Sequence, residues 1–361
     1  MIDNPYRRLA QRLDELPNGF PPTDDGIELR VLERLFTAEE AALAAQLRLT
    51  KETPAQIAAR VGGDARAIRS QLKEMARRGL IAAGRAEGGL GFGLLPFAIG
   101  IYEFQYNTMD VELAQLFEDY YRRAFGQIMT IRPLIQRVIP IGEEIRNDME
   151  VRPYETASQL IESARAWGVV DCLCRLQKEL VGDPCDHPRD VCMILSSVPG
   201  VFDGTPDVRG LSRSEALATL RRAAEAGLVH CTSNTQEGLP HLWYICNCCT
   251  CSCGILRAMA DLGVANVVAR SAFVVEVDAD LCSACETCVD RCPFEALSVD
   301  EVAQVARVRC VGCGVCVPAC PSDALLLVRR PDEEILPVPV TEREWMEERA
   351  AARGLDLGQV L

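Results

Sequence analysis

The 361-residue chain holds eighteen cysteines, and eight of them keep a spacing with its own chemistry. Cys282-x2-Cys285-x2-Cys288-x3-Cys292-Pro293 is followed by Cys310-x2-Cys313-x2-Cys316-x3-Cys320-Pro321. Each cysteine of the second run lies 28 positions after its counterpart, and Ala296-Leu297 recurs as Ala324-Leu325. Such self-similarity marks an internal duplication, each half expected as a strand, a cysteine loop and a short helix. Three thiolates two residues apart come from one tight loop, which turns backbone amides toward cluster sulfurs and suits a cubane of iron and sulfide. In this spacing the fourth thiolate belongs to the other half. Cluster I is therefore expected on Cys282, Cys285, Cys288 and Cys320, and cluster II on Cys310, Cys313, Cys316 and Cys292. Structural zinc needs only four tetrahedral ligands and leaves the duplicated third interval and both prolines unexplained. Gly312 and Gly314 would let the backbone pass close to cluster II.

Over residues 272–330 this pattern resembles the bacterial dicluster ferredoxin family, with no departure from its ligand spacing. The resemblance implies a ferredoxin-like module, two [4Fe-4S] clusters and low-potential one-electron transfer. It implies no substrate specificity.

Ten cysteines lie upstream. Cys172, Cys174, Cys185 and Cys192 form one group around the turn-rich Gly182-Asp183-Pro184-Cys185-Asp186-His187-Pro188. Cys246, Cys248, Cys249, Cys251 and Cys253 form a second, interrupted by Ser252. In an extended segment Cys249, Cys251 and Cys253 would share a face. Cys231, alone in sequence, reads as a small buried hydrophobe. The other nine exceed any packing need and are candidate metal ligands. They are expected to hold one or two additional iron–sulfur clusters, either one per group or one shared site, with structural zinc as the alternative. Arg175 is placed to hydrogen-bond cluster sulfide and raise its potential. Of His187, His230 and His241, each is expected at a surface or cap rather than as a ligand.

The remaining chain supplies the elements that position these groups. Ile27 to Leu49 reads as helical. Thr53-Pro54-Ala55-Gln56 is a capping box with proline at the first helical position. Asp64 caps a helix carrying Ile68, Leu72 and Met75, and Gly84 to Gly93 suits a hairpin. Helix, helix, turn, helix and wing resemble a winged helix-turn-helix domain over residues 27–100. Residues 51–85 carry eight basic and three acidic groups, a local charge of +5 within a chain of −14. Ser212 through Val229 repeats the helix–glycine–strand pattern, so a second such module is an alternative. Residues 101–165 are expected to be mostly helical, with their aromatics used for packing and dimer contact.

The expected fold class is α+β multidomain. It has a lead-in (1–26), a winged-helix-like domain (27–100), a helical segment (101–165) and a Cys-rich metal or cluster domain (166–265). A dicluster ferredoxin domain (270–330) and a tail with a helix around Trp345 (331–361) complete it. A hydrophobic content of 48% is that of a globular chain. The acidic balance argues against a surface that grips nucleic acid or anionic lipid as a whole. No signal peptide or spanning segment is seen, and so much sulfur fits metal binding in the cytoplasm better than disulfides. No phosphate-binding glycine loop or dinucleotide fingerprint appears.

Three functions follow as expectations. The first is an electron-transfer subunit or redox partner of an anaerobic oxidoreductase. Its clusters pass electrons to a further cluster, it docks a catalytic subunit, and its tail latches onto that partner. The second is a reductase with chemistry at the middle cysteines. The third is a redox-sensing regulator whose basic helix contacts DNA. No catalytic residue is identified, and self-association is left open.

Overall fold

Local sequence sets most helix starts. Asn4, Thr37, Thr53, Asp64, Asp110, Thr156 and Ser212 each accept a hydrogen bond from a backbone N–H two or three residues on. That exchange satisfies donors a helix leaves unpaired. The computed structural model describes residues 4–205, 207–237, 242–263 and 267–361. By contacts the chain forms two compact units, one of residues 1–132, 176–183 and 346–361, the other of residues 133–175 and 184–345.

In the first unit, α1 (Pro5–Asp14), α2 (Ile27–Leu35), α3 (Ala38–Ala44), α4 (Pro54–Val61) and α5 (Ala65–Arg77) precede a hairpin of β1 (Ile81–Ala86) and β2 (Gly89–Leu94). Helix α6 (Val111–Arg123) follows. The single helix expected over Ile27–Leu49 is two. Phe36 leaves the helix in extended backbone, and Thr37 starts α3 with a capping box closed by Glu40. The hairpin runs in register from Ile81↔Leu94 to Ala86↔Gly89. Part of the local positive charge is spent within the fold, because Arg60 pairs with Glu52, Arg77 with Glu74 and Arg78 with Glu40. Arg66, Arg69 and Lys73 stand exposed on α5. Phe97 sits among Phe20, Phe117, Tyr120 and Phe125, with ring centroids 4.6 to 6.3 Å away. The segment 101–165 is less helical than expected. Beyond α6 and short 3-10 turns it runs irregularly to β3 (Gln136–Val138) and α7 (Ala157–Ser163).

The second unit is built on a sheet. After β3 and α7 come β4 (Ala166–Val170), α8 (Leu173–Leu180, which passes into the first unit from residue 176), β5 (Cys192–Ser196), β6 (Arg209–Leu211), α9 (Arg213–Glu225), β7 (Val229–Ser233) and β8 (Leu242–Cys248). The six strands lie in the order β3-β7-β8-β5-β4-β6, each pair antiparallel. Helices α7 and α9 cover one face with Leu160, Ile161 and Leu220, which meet Leu195 and Ile245 of the sheet. Ser212 does cap α9 with Glu215. The strand that follows is not a two-stranded wing, however. β7 is inside the sheet, paired on both edges, because β3 and β8 satisfy its backbone.

Residues 258–329 add α10 (Ala258–Asp261), β9 (Phe273–Val277), α11 (Thr287–Arg291), β10 (Leu297–Val299), β11 (Ala303–Val305) and β12 (Leu325–Arg329). β9 pairs with β12 and β10 with β11, both antiparallel. The first half carries the expected short helix, α11. The second passes residues 315–319 as turns.

The tail forms α12 (Glu342–Arg353). Trp345 is buried and donates Nε1–H to Leu134 O at 3.0 Å. Arg349 is fully buried and donates to Pro17 O at 2.9 Å and Ile128 O at 2.7 Å. Trp345, around which the tail helix was expected to reach a partner, is thus buried within this chain. No helix among the described residues is long and apolar enough to cross a membrane.

Candidate functional site

No disulfide joins any of the eighteen cysteines. Four of the duplicated eight, Cys282, Cys285, Cys288 and Cys320, line a shallow surface pocket beside Pro321. Burial pushes the Cys288 thiol up, and Cys320, Cys285 and Cys282 add to it as like charges. Cys285 is exposed, and a hydrogen bond with Thr287 holds its thiol below the usual range. The other four converge deeper. Cys310, Cys313 and Cys316 are buried. Burial raises Cys316 well above an ordinary thiol, followed by Cys313, Cys292 and Cys310. The structure thus brings Cys320 to the first loop and Cys292 to the second. Each set gathers four soft donors, the donor chemistry an iron–sulfur cluster takes.

The duplication extends to backbone conformation. Ala284 and Glu286 have positive φ, as do Gly312 and Gly314 at the equivalent places, and Glu295 matches Asp323. The repeated alanine also has a role, because Ala296 N–H donates to Cys292 Sγ and Ala324 N–H to Cys320 Sγ, both at 3.3 Å. Ligand-facing amides of this kind tune a thiolate's basicity.

The middle cysteines are sorted by the sheet rather than by their order in sequence. Cys246 and Cys248 share one face of β8, and Cys231 lies directly opposite Cys246 on β7. Cys192 opens β5 one position before Met193, which pairs with Ile245, so Cys192 falls on the same face. Cys248 is in hydrogen-bonding contact with Cys231, Cys246 and Cys253. Cys253 continues to Cys174, Cys174 to Cys172, and Cys172 to Cys192. The contact with Cys174, ahead of burial, pushes Cys253 up to about 12.

Cys185, Cys249 and Cys251 form a separate trio, their sulfurs all within 4.8 Å of one another. Neither sequence group makes a site of its own, because each contributes to both. Cys249, Cys251 and Cys253 do not share a face. The chain curls after β8, with Cys253 N–H bonded to Cys249 O at 3.2 Å, and this sends Cys253 away from the other two.

Arg175 stands between the two sets. Its Nη1 donates to Pro188 O and its Nη2 to Asn247 O, each at 2.8 Å. Burial alone would lower its pKa, but Cys172, Cys249 and Cys192 raise it. Cys249 is driven down to about 4, first by its hydrogen bond from Cys251 and then, against burial, by Arg175.

Two residues carry more than the sequence signalled. Cys231 is fully buried as expected but not isolated, since it contacts Cys248 and lies close enough to Cys313 to raise that thiol. His230, expected at a surface or cap, is also buried. Burial lowers it to about 4, so the ring is neutral and Nδ1 pairs with Asn247 Oδ1. Strand pairing of β7 with β8 creates both environments, and pairing between distant strands has no local signature. His187 is not part of the Cys185 trio, and His241 lies outside the described residues.

Residues 281–325 match the model of the 4Fe-4S dicluster domain family. That stretch of the chain is a ferredoxin-type iron–sulfur domain. No curated protein and no solved structure matches the chain.

Proposed function

We propose that this protein is an electron carrier in which the ferredoxin-type domain exchanges electrons with a further iron–sulfur site in the cysteine-rich sheet. Cys282, Cys285, Cys288 and Cys320 would hold one [4Fe-4S] cluster, and Cys310, Cys313, Cys316 and Cys292 the second. Cys172, Cys174, Cys248 and Cys253, which touch in sequence through Cys174 and Cys253, would hold a third. Bound there, such clusters supply one-electron couples.

The observation that carries this reading is the position of Cys231. Sulfur contacts run from Cys174 through Cys253 and Cys248 to Cys231, and Cys231 lies near enough to Cys313 for its charge to raise that thiol. That row of thiols, ending near Cys313, supports a route between the middle thiols and the ferredoxin-type set. Exposure gives the arrangement an outside and an inside. Cys285 is exposed, while Cys313 and Cys316 are buried. A redox partner, or the catalytic subunit of a larger oxidoreductase, would meet the Cys285 side.

The test is iron and acid-labile sulfide content of anaerobically purified protein, with EPR of the reduced state. About twelve irons with matching sulfide are expected, whereas about eight would remove the third cluster. Reduction by, or co-purification with, a catalytic subunit would support the carrier role. Turnover of a small substrate by the isolated chain would support the reductase instead.

A second reading rests on Arg66, Arg69 and Lys73, exposed along one side of α5. These would contact phosphates if the helix entered a major groove. Salt-dependent retardation of duplex DNA is expected on this reading, and its absence at low salt removes it.

A further inference from the structure

We infer that Cys185, Cys249 and Cys251 form a mononuclear site for one thiophilic divalent cation, Zn2+ or Fe2+, with a fourth coordination position open to an exchangeable ligand. It is distinct from the third cluster proposed above and does not depend on it.

Spacing separates the two kinds of site. A tetrahedral metal with metal–sulfur bonds of about 2.3 Å sets its thiolates about 3.8 Å apart. The three sulfurs here lie within 4.8 Å of one another. Thiolates around a cubane sit on separate irons and stand farther apart. Among the described residues no other three cysteines come within that distance of one another, neither in the ferredoxin-type domain nor in the row from Cys172 to Cys248, where the contacts are pairwise.

The trio is also built, not merely crowded. Cys185 comes from the loop after α8, and Cys249 and Cys251 from the turn after β8. Ser252 Oγ holds the two segments together by donating to Cys185 Sγ at 3.2 Å. Arg175, 2% exposed, faces the trio through Cys249, and its Nε is buried without a hydrogen-bond partner among the described residues. Three thiolates and a divalent cation leave one negative charge, and the guanidinium supplies the matching positive one.

Access follows the same geometry. Cys249 is buried on one side, and Cys251 is exposed on the other. A cation can enter from the Cys251 side. Three protein ligands with one vacancy is the coordination pattern of reactive rather than structural thiolate and imidazole sites. Soft thiolate donors select zinc or iron over magnesium or calcium.

The experiment is metal and sulfide analysis of the full chain purified without oxygen. Clusters contribute iron and sulfide in equal number, whereas a mononuclear ion adds metal without sulfide. One metal ion per chain beyond the sulfide is expected. It should disappear in Cys251→Ser and in Cys185→Ser while sulfide stays unchanged. Wild-type protein stripped of the excess ion and reloaded with Co2+ should show thiolate-to-cobalt charge transfer and tetrahedral d–d bands, a readout that needs no variant. Loss of iron and sulfide together in Cys251→Ser would overturn the inference, because the trio would then serve a cluster. Equal metal and sulfide in the wild type, with no tetrahedral cobalt spectrum, would overturn it as well. Failure of the third cluster reads separately, as total sulfide near eight.

Discussion

Gly312 and Gly314 sit two residues apart in the second cysteine loop, both with positive φ, and replacing them by alanine should have opposite outcomes. Backbone strain does not distinguish them. The equivalent positions of the first loop hold Ala284 and Glu286 at φ 53 and 61, so this loop tolerates side chains there. Space does. A Cβ on Gly312 would lie 2.1 Å from Phe273 O and 2.3 Å from Ser271 Oγ. Neither can move away cheaply. Phe273 begins β9 and is fully buried, and Ser271 Oγ donates to Gly312 O at 2.7 Å. A Cβ on Gly314 would come no closer than 3.1 Å to Leu327 Cδ1 and 3.5 Å to the Glu144 side chain, both side-chain atoms. The left-handed conformation costs about 1 kcal/mol for either alanine. Overpacking against fixed backbone adds about 2–3 kcal/mol at Gly312 alone. A total near 3–4 kcal/mol shifts the loop equilibrium by about two to three orders of magnitude. Gly312→Ala should therefore lose the cluster on Cys310, Cys313, Cys316 and Cys292, dropping about four irons and four sulfides. Gly314→Ala should keep them. The assay is iron and sulfide content with EPR of the reduced protein. A Gly312→Ala protein with full content and an unchanged spectrum would refute the close-approach argument. Equal loss in both variants would refute it too, since φ alone would then decide.

Three further outcomes follow from particular contacts. Cys292→Ala should abolish the buried cluster and spare the exposed one, and Cys320→Ala should do the reverse; if either variant loses the cluster of its own loop's first three cysteines instead, the crossed assignment is wrong. Cys231→Val keeps the buried volume close to native, so iron and sulfide should stay at wild-type values while electron re-equilibration after partial reduction slows; unchanged kinetics would take Cys231 out of the path. Glu144 is 8% exposed and burial raises its carboxyl to about 7. It is protonated in both states below about pH 4.5 and ionised in both above about 7, so its cost to stability appears as pH rises through that window. Glu144→Gln keeps the acceptor for Gly142 N–H and should raise stability at pH 8 by at most about 3 kcal/mol, with a flatter slope between pH 4.5 and 7 in denaturant titrations. An unchanged slope would mean that Glu144 is ionised throughout.

What could be read from the chain, and what could not, divides along the range of the interactions. Cys282 to Cys320 was legible because the information is covalent, a spacing repeated at 28 residues. Thr53 and Ser212 were legible because a capping box spans four residues. Thr37 with Glu40 carries the same signal, but the apolar positions on either side continue the helical period past the break at Phe36. The middle cysteines were legible as candidate ligands but not in their grouping. Their grouping depends on β8 lying between β5 and β7, and on the curl after Cys248, neither of which short-range sequence encodes. Cys231 and His230 were underestimated for the same reason. Each looks isolated in sequence and acquires its partners only through strand pairing.

Charge balance links the buried sulfur to its surroundings. Thiolates taken out of water need compensating positive charge. The middle set has Arg175, and the buried ferredoxin-type set has Arg330. Arg330 is buried and donates Nη2–H to Cys310 O at 2.6 Å, with Glu334 as its only partly buried counterion at 3.2 Å. A positive charge there favours the reduced, more negative state of whatever Cys310 and its neighbours hold. Arg330→Gln can retain the bond to Cys310 O while removing that charge. The loss of one charge at an effective dielectric near 20 is on the order of 1–2 kcal/mol, or about 40–90 mV for one electron. The midpoint potential of the buried cluster should fall by that order, and that of the exposed cluster by less. Arg330→Lys should recover most of the shift, because the charge matters here more than the planar fork. Equal shifts at both clusters would mean a general loosening of the domain. No shift at either would show that Arg330 serves the Cys310 carbonyl alone.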